Sequence, residues 1–168
     1  MPQKPLAIYL QDHLAGSTAG VNLARRFVKS NAGTQAGRTL AEVGGEIEAD
    51  REVLLRLMAE LGIEGSRVKN GAAWLTERLA RLKPNGRLSG ESAYQGLHEL
   101  ESLVLGITGK LALWEALSLV PEVTAASIDL DALAEGARSQ RERVEKERLA
   151  FARAALAAGA PAPQVTRA

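Results

Sequence analysis

Asp50 stands where a leucine is expected. Leu40, Val43, Ile47, Asp50, Leu54, Leu57 and Leu61 alternate spacings of three and four, the seam of a helix that packs in a bundle. A carboxylate on such a seam needs a cation or hydrogen-bond donors facing it, because burying an isolated charge is costly. Turning each predicted helix by about 100° per residue brings other polar groups inward. His13 falls near the middle of the first apolar face, and Asp50 lies within about 40° of the middle of the second. Arg141 and Arg148 flank Val144 on the apolar side of the last helix. Glu115 does the same on the third, with Glu101 at the edge of that face. Together these six residues predict an internal polar layer in which Asp50 pairs with Arg141 or Arg148 and His13 hydrogen-bonds into the network.

Three kinds of chemistry fit such a layer. The favoured reading is a structural ion-pair layer, whose use is to fix helix register more than to add stability. The second is a ligand cavity in which the two arginines hold an anionic group. The third is a mononuclear metal site through His13, Glu46 and Asp50. Arginine decides the order: a guanidinium neutralises the carboxylates a cation needs and cannot itself ligate a metal. The sequence therefore predicts no catalytic residue, no metal and no cofactor.

The remaining chemistry-bearing residues carry less. His98 has Glu101 at i+3 and reads as an exposed helix histidine. Trp74 and Trp114 read as packing in the core or at an interface. The run Arg138 to Arg148 alternates basic residues with Glu142, Glu145 and Glu147 and lacks stacking aromatics, so it reads as a solvated helix and not a nucleic-acid surface. Phosphate loops, nucleophile elbows and zinc-protease patterns are absent.

Composition sets the outer bounds. The chain has 168 residues, a length suited to one domain, with 46% apolar and 24% charged residues. A net charge of +1 predicts neither nucleic acid nor an anionic membrane as partner. Cysteine is absent, which removes disulfides, thiolate zinc sites and cysteine nucleophiles and fits a reducing compartment. No apolar run reaches the roughly 18–20 residues of a membrane span. Gln11, Asp12 and His13 interrupt the N-terminal apolar stretch before any signal-peptide cleavage site. The expectation is a cytoplasmic protein. Aromatics are scarce, and no period-two alternation appears, so the expected class is all-α.

Four long helices follow from the periodicity. The first starts near Pro5, presents Leu6, Tyr9, Leu10, His13, Ser17, Gly20, Ala24, Phe27 and Val28, and ends at Ser30-Asn31 and Gly33. Its middle is built of small residues; Gly16 and Gly20, like Gly44 and Gly45 in the next helix, are expected to allow close backbone approach rather than to leave room for a ligand. The second helix is the Asp50 seam, with a capping box at Thr39 and Glu42 and a stop at Gly62. A long crossover from Leu61 to Gly90 carries a short helix, capped by Ser66 and ended by Pro84-Asn85-Gly86. The third begins near Ser89 or Ser92, carries Leu97, Leu100, Val104, Ile107, Leu111 and Trp114, and stops before Pro121; Gly106 and Gly109 are expected to bend it. The fourth starts between Thr124 and Asp131 and, running to Ala158, is the longest, spanning roughly 45 Å. The domain covers residues 1–158, and 159–168 form a disordered tail.

Two antiparallel pairs joined by one long crossover resemble the ferritin-like superfamily in helix count and connection lengths. That resemblance implies a di-iron centre built from carboxylates on all four helices and a Glu-x-x-His pair on two of them. The residues depart from it. The first helix has no glutamate, the Glu-x-x-His motif is missing, and the chain has only two histidines. The fold expected is thus a ferritin-like four-helix bundle without its metal centre. The expected function is non-enzymatic, through protein contacts and as a homodimer, because the fourth helix should outrun its neighbours and expose Phe151 and Leu156. The alternatives are a degenerate ferritin-like metal protein or enzyme and a small-ligand carrier whose cavity lies beside Gly16 and Gly20.

Overall fold

The first long helix, α1, spans Lys4–Ser30 and buries Leu10, Leu14, Val21, Ala24 and Phe27, a stripe at spacings of three, four and seven. Pro5 sits in its first turn, where a backbone N–H has no helical partner to lose. Asn31 ends it by donating its Nδ2 to the Phe27 carbonyl at 2.9 Å. Gly33 then turns the chain at φ +80°, a left-handed conformation that favours glycine. The protein is described by a computed structural model that covers residues 4–65, 89–126 and 128–157. The predicted crossover helix, with Trp74, and the predicted tail at 159–168 lie outside the described residues.

Helix α2 runs Gln35–Glu60, so it starts before the predicted capping box. Thr34 is the actual cap: its hydroxyl accepts from the Gly37 N–H at 2.9 Å and donates to the Asn31 carbonyl at 2.8 Å. Thr39 lies inside the helix, where its hydroxyl donates to Glu147 at 3.1 Å. At the other end Gly62 has φ +68°, the Gly62 N–H reaches the Ala59 carbonyl and the Ile63 N–H reaches Met58. That is a Schellman stop, sealed by the buried Ile63.

Helix α3 spans Ser89–Leu117 and is the longest at 29 residues; the last helix, α5, has 27 and spans Leu130–Leu156. Between them the short α4, Pro121–Thr124, begins on its proline. Asp129 caps α5 by accepting from the Ala132 N–H at 2.9 Å. The expectation that the final helix outruns the others is therefore corrected. Phe151 is also buried, its ring 5.5 Å from that of Phe27.

Helices α1 and α2 form one intimate pair and α3 and α5 the other; α1 also packs on α3, and α2 on α5. Polar pairs give the directions. Thr39 meets Glu147, Glu46 meets Arg143 and Asp50 meets Gln140, so α2 and α5 are antiparallel. Glu101 meets Arg148 and Glu115 meets Arg138, so α3 and α5 are antiparallel too. Hence α2 and α3 run in the same direction. One core, including Leu14, Leu40, Leu57, Leu100, Trp114 and Val144, is shared by all four long helices. Each fully buried leucine there contributes about 1.5–3 kcal/mol relative to exposure. No strand occurs among the described residues, and no described helix is long and apolar enough to cross a membrane.

Candidate functional site

Asp50 is interior, as its place on the seam requires, but neither arginine is its partner. The Lys110 ammonium of α3 donates to Asp50 Oδ2 at 2.5 Å and also to Gln140 Oε1 of α5. Gln140 closes the triangle by donating its Nε2 to the same Asp50 oxygen at 3.1 Å. The Lys110 and Asp50 side chains are 12% and 14% exposed, and Gln140 is 2% exposed. Three helices are thus tied at one level by a satisfied network, the condition under which buried polar groups specify register. Burial pulls the Lys110 amine below the usual lysine range, with Asp50 and then Glu46 acting against that pull.

The predicted layer is otherwise redistributed. Arg141 is exposed, because the apolar stripe of α5 passes through Ala137, Gln140 and Val144 and Arg141 is one residue, about 100°, off it. Arg148 is at the rim: it grips Glu145 with two hydrogen bonds of 2.7 and 2.6 Å and reaches Glu101 of α3 at 3.6 Å. Glu115 is exposed and pairs with Arg138 at 2.7 Å. His13 is half-buried against the edge of the Tyr9 ring, 4.6 Å away, and no hydrogen bond joins it to Asp50 among the described residues. Desolvation lowers its pKa, against the charge of Asp12. The alternative metal set is not assembled either: Asp50 holds an ammonium, and Glu46 is bridged to Arg143 of α5. Among the described residues no group of three or more metal-binding side chains comes together. An ammonium already neutralises the carboxylate at the centre, so the residues there do not fit a di-iron cluster.

Three interior polar residues, Glu99, Lys110 and Gln140, escaped the sequence reading. Glu99 is 2% exposed, accepts from Gln95 Nε2 at 3.2 Å and pairs with Arg26 of α1 at 3.0 Å. Lys110 lies three residues after Ile107 and four before Trp114, and Gln140 stands in the same relation to Ala137 and Val144. That spacing carried the signal. It was masked on α3 by Leu111, whose neighbouring position drew the predicted apolar face away from the one that includes Leu103, Ile107 and Leu113.

Beside the triangle lies a cavity of about 410 Å³ between α1, α2 and α3. Its walls are mainly apolar, with Leu23, Ile47, Leu54, Leu103, Ile107 and Trp114 among them, and Lys110 and Asp50 line it. His13, Asp12 and Arg51 add polar groups to the lining. Gly16, Gly20, Gly106 and Gly109 line it as well. A Cβ added to Gly16, Gly106 or Gly109 would meet nothing within 4 Å, and one on Gly20 only Ile47 at 3.9 Å. The tight helix contact expected of Gly16 and Gly20 is therefore not what these two glycines provide. Gly44, with Ala24 at 3.2 Å from such a Cβ, does have the close neighbour expected of it. Trp114 is buried under the cavity, its Nε1 without a hydrogen-bond partner among the described residues.

Comparison with protein-family models, with curated proteins and with solved structures finds no match.

Proposed function

We propose that this protein binds a small, largely apolar molecule in the cavity between α1, α2 and α3, on a four-helix bundle of ferritin-like topology that uses an ion-paired layer where a metal centre would stand. The observation that carries it is the cavity's glycine lining. Gly16, Gly106 and Gly109 face open space in helix interiors, where each costs about 0.5–1 kcal/mol relative to alanine. Unlike Gly45, all three line the cavity, so the space left by their missing side chains adds to it. The volume falls within the ~300–1,000 Å³ usual for small-ligand sites, and a mostly apolar wall with few polar groups is their usual chemistry. The crossover topology draws support from α2 and α3 pointing the same way, which a simple up-down bundle does not allow. Binding without chemistry is the simplest use of the site.

The test is direct. Purified protein is denatured and extracted, and the extract analysed by mass spectrometry for stoichiometric small molecules; in parallel, thermal unfolding is followed with added medium-chain alcohols. Gly16→Leu and Gly106→Leu, which fill the cavity, should each abolish the ligand-induced rise in Tm. A protein that yields no ligand and shows no rise with any alcohol is not a carrier.

Self-association is retained as part of the proposal on a narrower basis than Phe151 offered. Leu149 and Leu156, seven residues apart on α5, are 53% and 68% exposed and share one helix face. Sedimentation equilibrium at micromolar concentration should give a dimer that Leu156→Glu dissociates; a monomer in the unaltered protein removes the inference.

A further inference from the structure

The Asp50–Lys110–Gln140 triangle does more than tie helices, because Lys110 and Asp50 also line a cavity whose walls are mainly apolar. A lysine used only for register needs no access to a cavity, yet Lys110 and Asp50 both line this one. We infer that Lys110 is a carbonyl-trapping amine: the cavity's occupant is a small apolar aldehyde or ketone that forms a Schiff base on Nζ. The inference rests on the cavity reading above and specifies its ligand.

The surroundings supply what the reaction needs. Nucleophilic lysines are made by desolvation in apolar pockets, and here burial is the largest influence on the amine, drawing its pKa down. Asp50, at 2.5 Å, is placed to take the ammonium proton. The neutral Nζ then attacks the carbonyl carbon, forming a C–N bond as the C=O electron pair moves to oxygen. Asp50 hands its proton to that oxygen and takes one from the nitrogen, leaving a neutral carbinolamine. The same carboxyl next protonates the hydroxyl, which departs as water while the nitrogen lone pair forms C=N. The iminium that remains carries one proton and sits opposite the Asp50 carboxylate, as the ammonium did. Per turnover of the site, one carbonyl compound and one ammonium give one iminium and one water, with no oxidant or reductant consumed. Gln140 keeps Asp50 oriented throughout through the 3.1 Å bond from its Nε2. Leu23, Ile47, Leu54 and Leu103 give the cavity the apolar wall that an alkyl chain would pack against.

The experiment incubates the full chain with octanal or 2-octanone, reduces with sodium borohydride, and maps the alkylated lysine by peptide mass spectrometry; 1-octanol is the control that fills the cavity but cannot react. Trapping at Lys110 should exceed that at Lys4, Lys29 or Lys146 severalfold, because burial leaves more of the Lys110 amine unprotonated near neutrality. Lys110→Arg keeps the charge opposite Asp50 and should abolish the Lys110 adduct. Asp50→Asn should slow adduct formation at Lys110 relative to the surface lysines. If octanol binds and octanal is trapped no faster at Lys110 than at the surface lysines, the carbonyl inference is wrong and the cavity reading stands. If octanol does not bind either, both fall. An adduct that persists at equal yield elsewhere after Lys110→Arg overturns the assignment of the site.

Discussion

Lys110 is held between opposing demands: burial disfavours its charge and Asp50 favours it. Removing one partner is therefore expected to be worse than removing both. Lys110→Met leaves the Asp50 carboxylate buried opposite a thioether and should cost about 3–5 kcal/mol in urea denaturation, whereas Lys110→Met combined with Asp50→Leu should recover most of that. A double variant as unstable as the single one would mean that the triangle, not the lone charge, sets the stability. His13 predicts a pH dependence of opposite origin. Its folded-state pKa lies below the ordinary 6.5 because burial penalises the imidazolium. The unfolded chain thus binds more protons than the folded one between the two values. Stability contributed by neutral His13 is complete above about 6.5 and is lost as pH falls through the lower, folded value. Thermal unfolding from pH 7.5 down to 5 should show this loss, and His13→Gln should flatten it.

At the scale of the helix, the glycines divide by what surrounds them. Gly45 is exposed on α2 and a Cβ there would meet nothing within 4 Å, so Gly45→Ala should stabilise by about 0.5–1 kcal/mol through helix propensity alone. Gly37 is the reverse case: a Cβ at that position would run into the backbone carbonyl of Asn31, in the turn that Thr34 caps. Gly96 is similar, with the Phe151 ring in the way. Gly37→Ala and Gly96→Ala should each destabilise by about 1–3 kcal/mol, the usual cost of overpacking. Chemical denaturation of the three variants separates the two classes, and equal effects at Gly45 and Gly37 would contradict the packing described. The Thr34 cap was passed over in sequence because Thr39-x-x-Glu42 offers the stronger local pattern. Which of the two closes the helix depends on where the preceding turn ends, and that is set by Asn31 and Gly33.

At the scale of the whole molecule, the polar pairs between helices form a ladder. Arg26–Glu99, Lys110–Asp50, Arg143–Glu46 and Arg148–Glu101 each join different long helices, and together they define one register. A shift of α5 by one turn would break three contacts at once, since Gln140, Arg143 and Arg148 all lie on it. Register specificity is the best-attested use of such buried groups. It also helps to keep the cavity open, because α2 and α3 cannot slide together without abandoning the Asp50 triangle, and Arg26–Glu99 ties α1 to α3. Arg26→Met should therefore lower stability by leaving Glu99 buried and unpaired, by about 3–5 kcal/mol in denaturant unfolding. A change within a few tenths would show that Glu99 is satisfied by Gln95 alone.

Helix class, helix ends at Gly33, Gly62 and Pro121, and the interior place of Asp50 were all determined by local pattern, since each depends on residues within a few turns of itself. The identity of Asp50's partner was not, because a lysine three residues after Ile107 looks like any solvated helix lysine until α2 and α5 are laid against it. Arg141 and Gln140 differ by one position on α5, and only the rotation of that helix in the assembled core chooses which faces inward. The cavity is likewise a tertiary property. A glycine in a helix is read from sequence as a place for contact or for space, and the difference lies in how closely the opposite helix approaches, a distance set by every other side chain in the core.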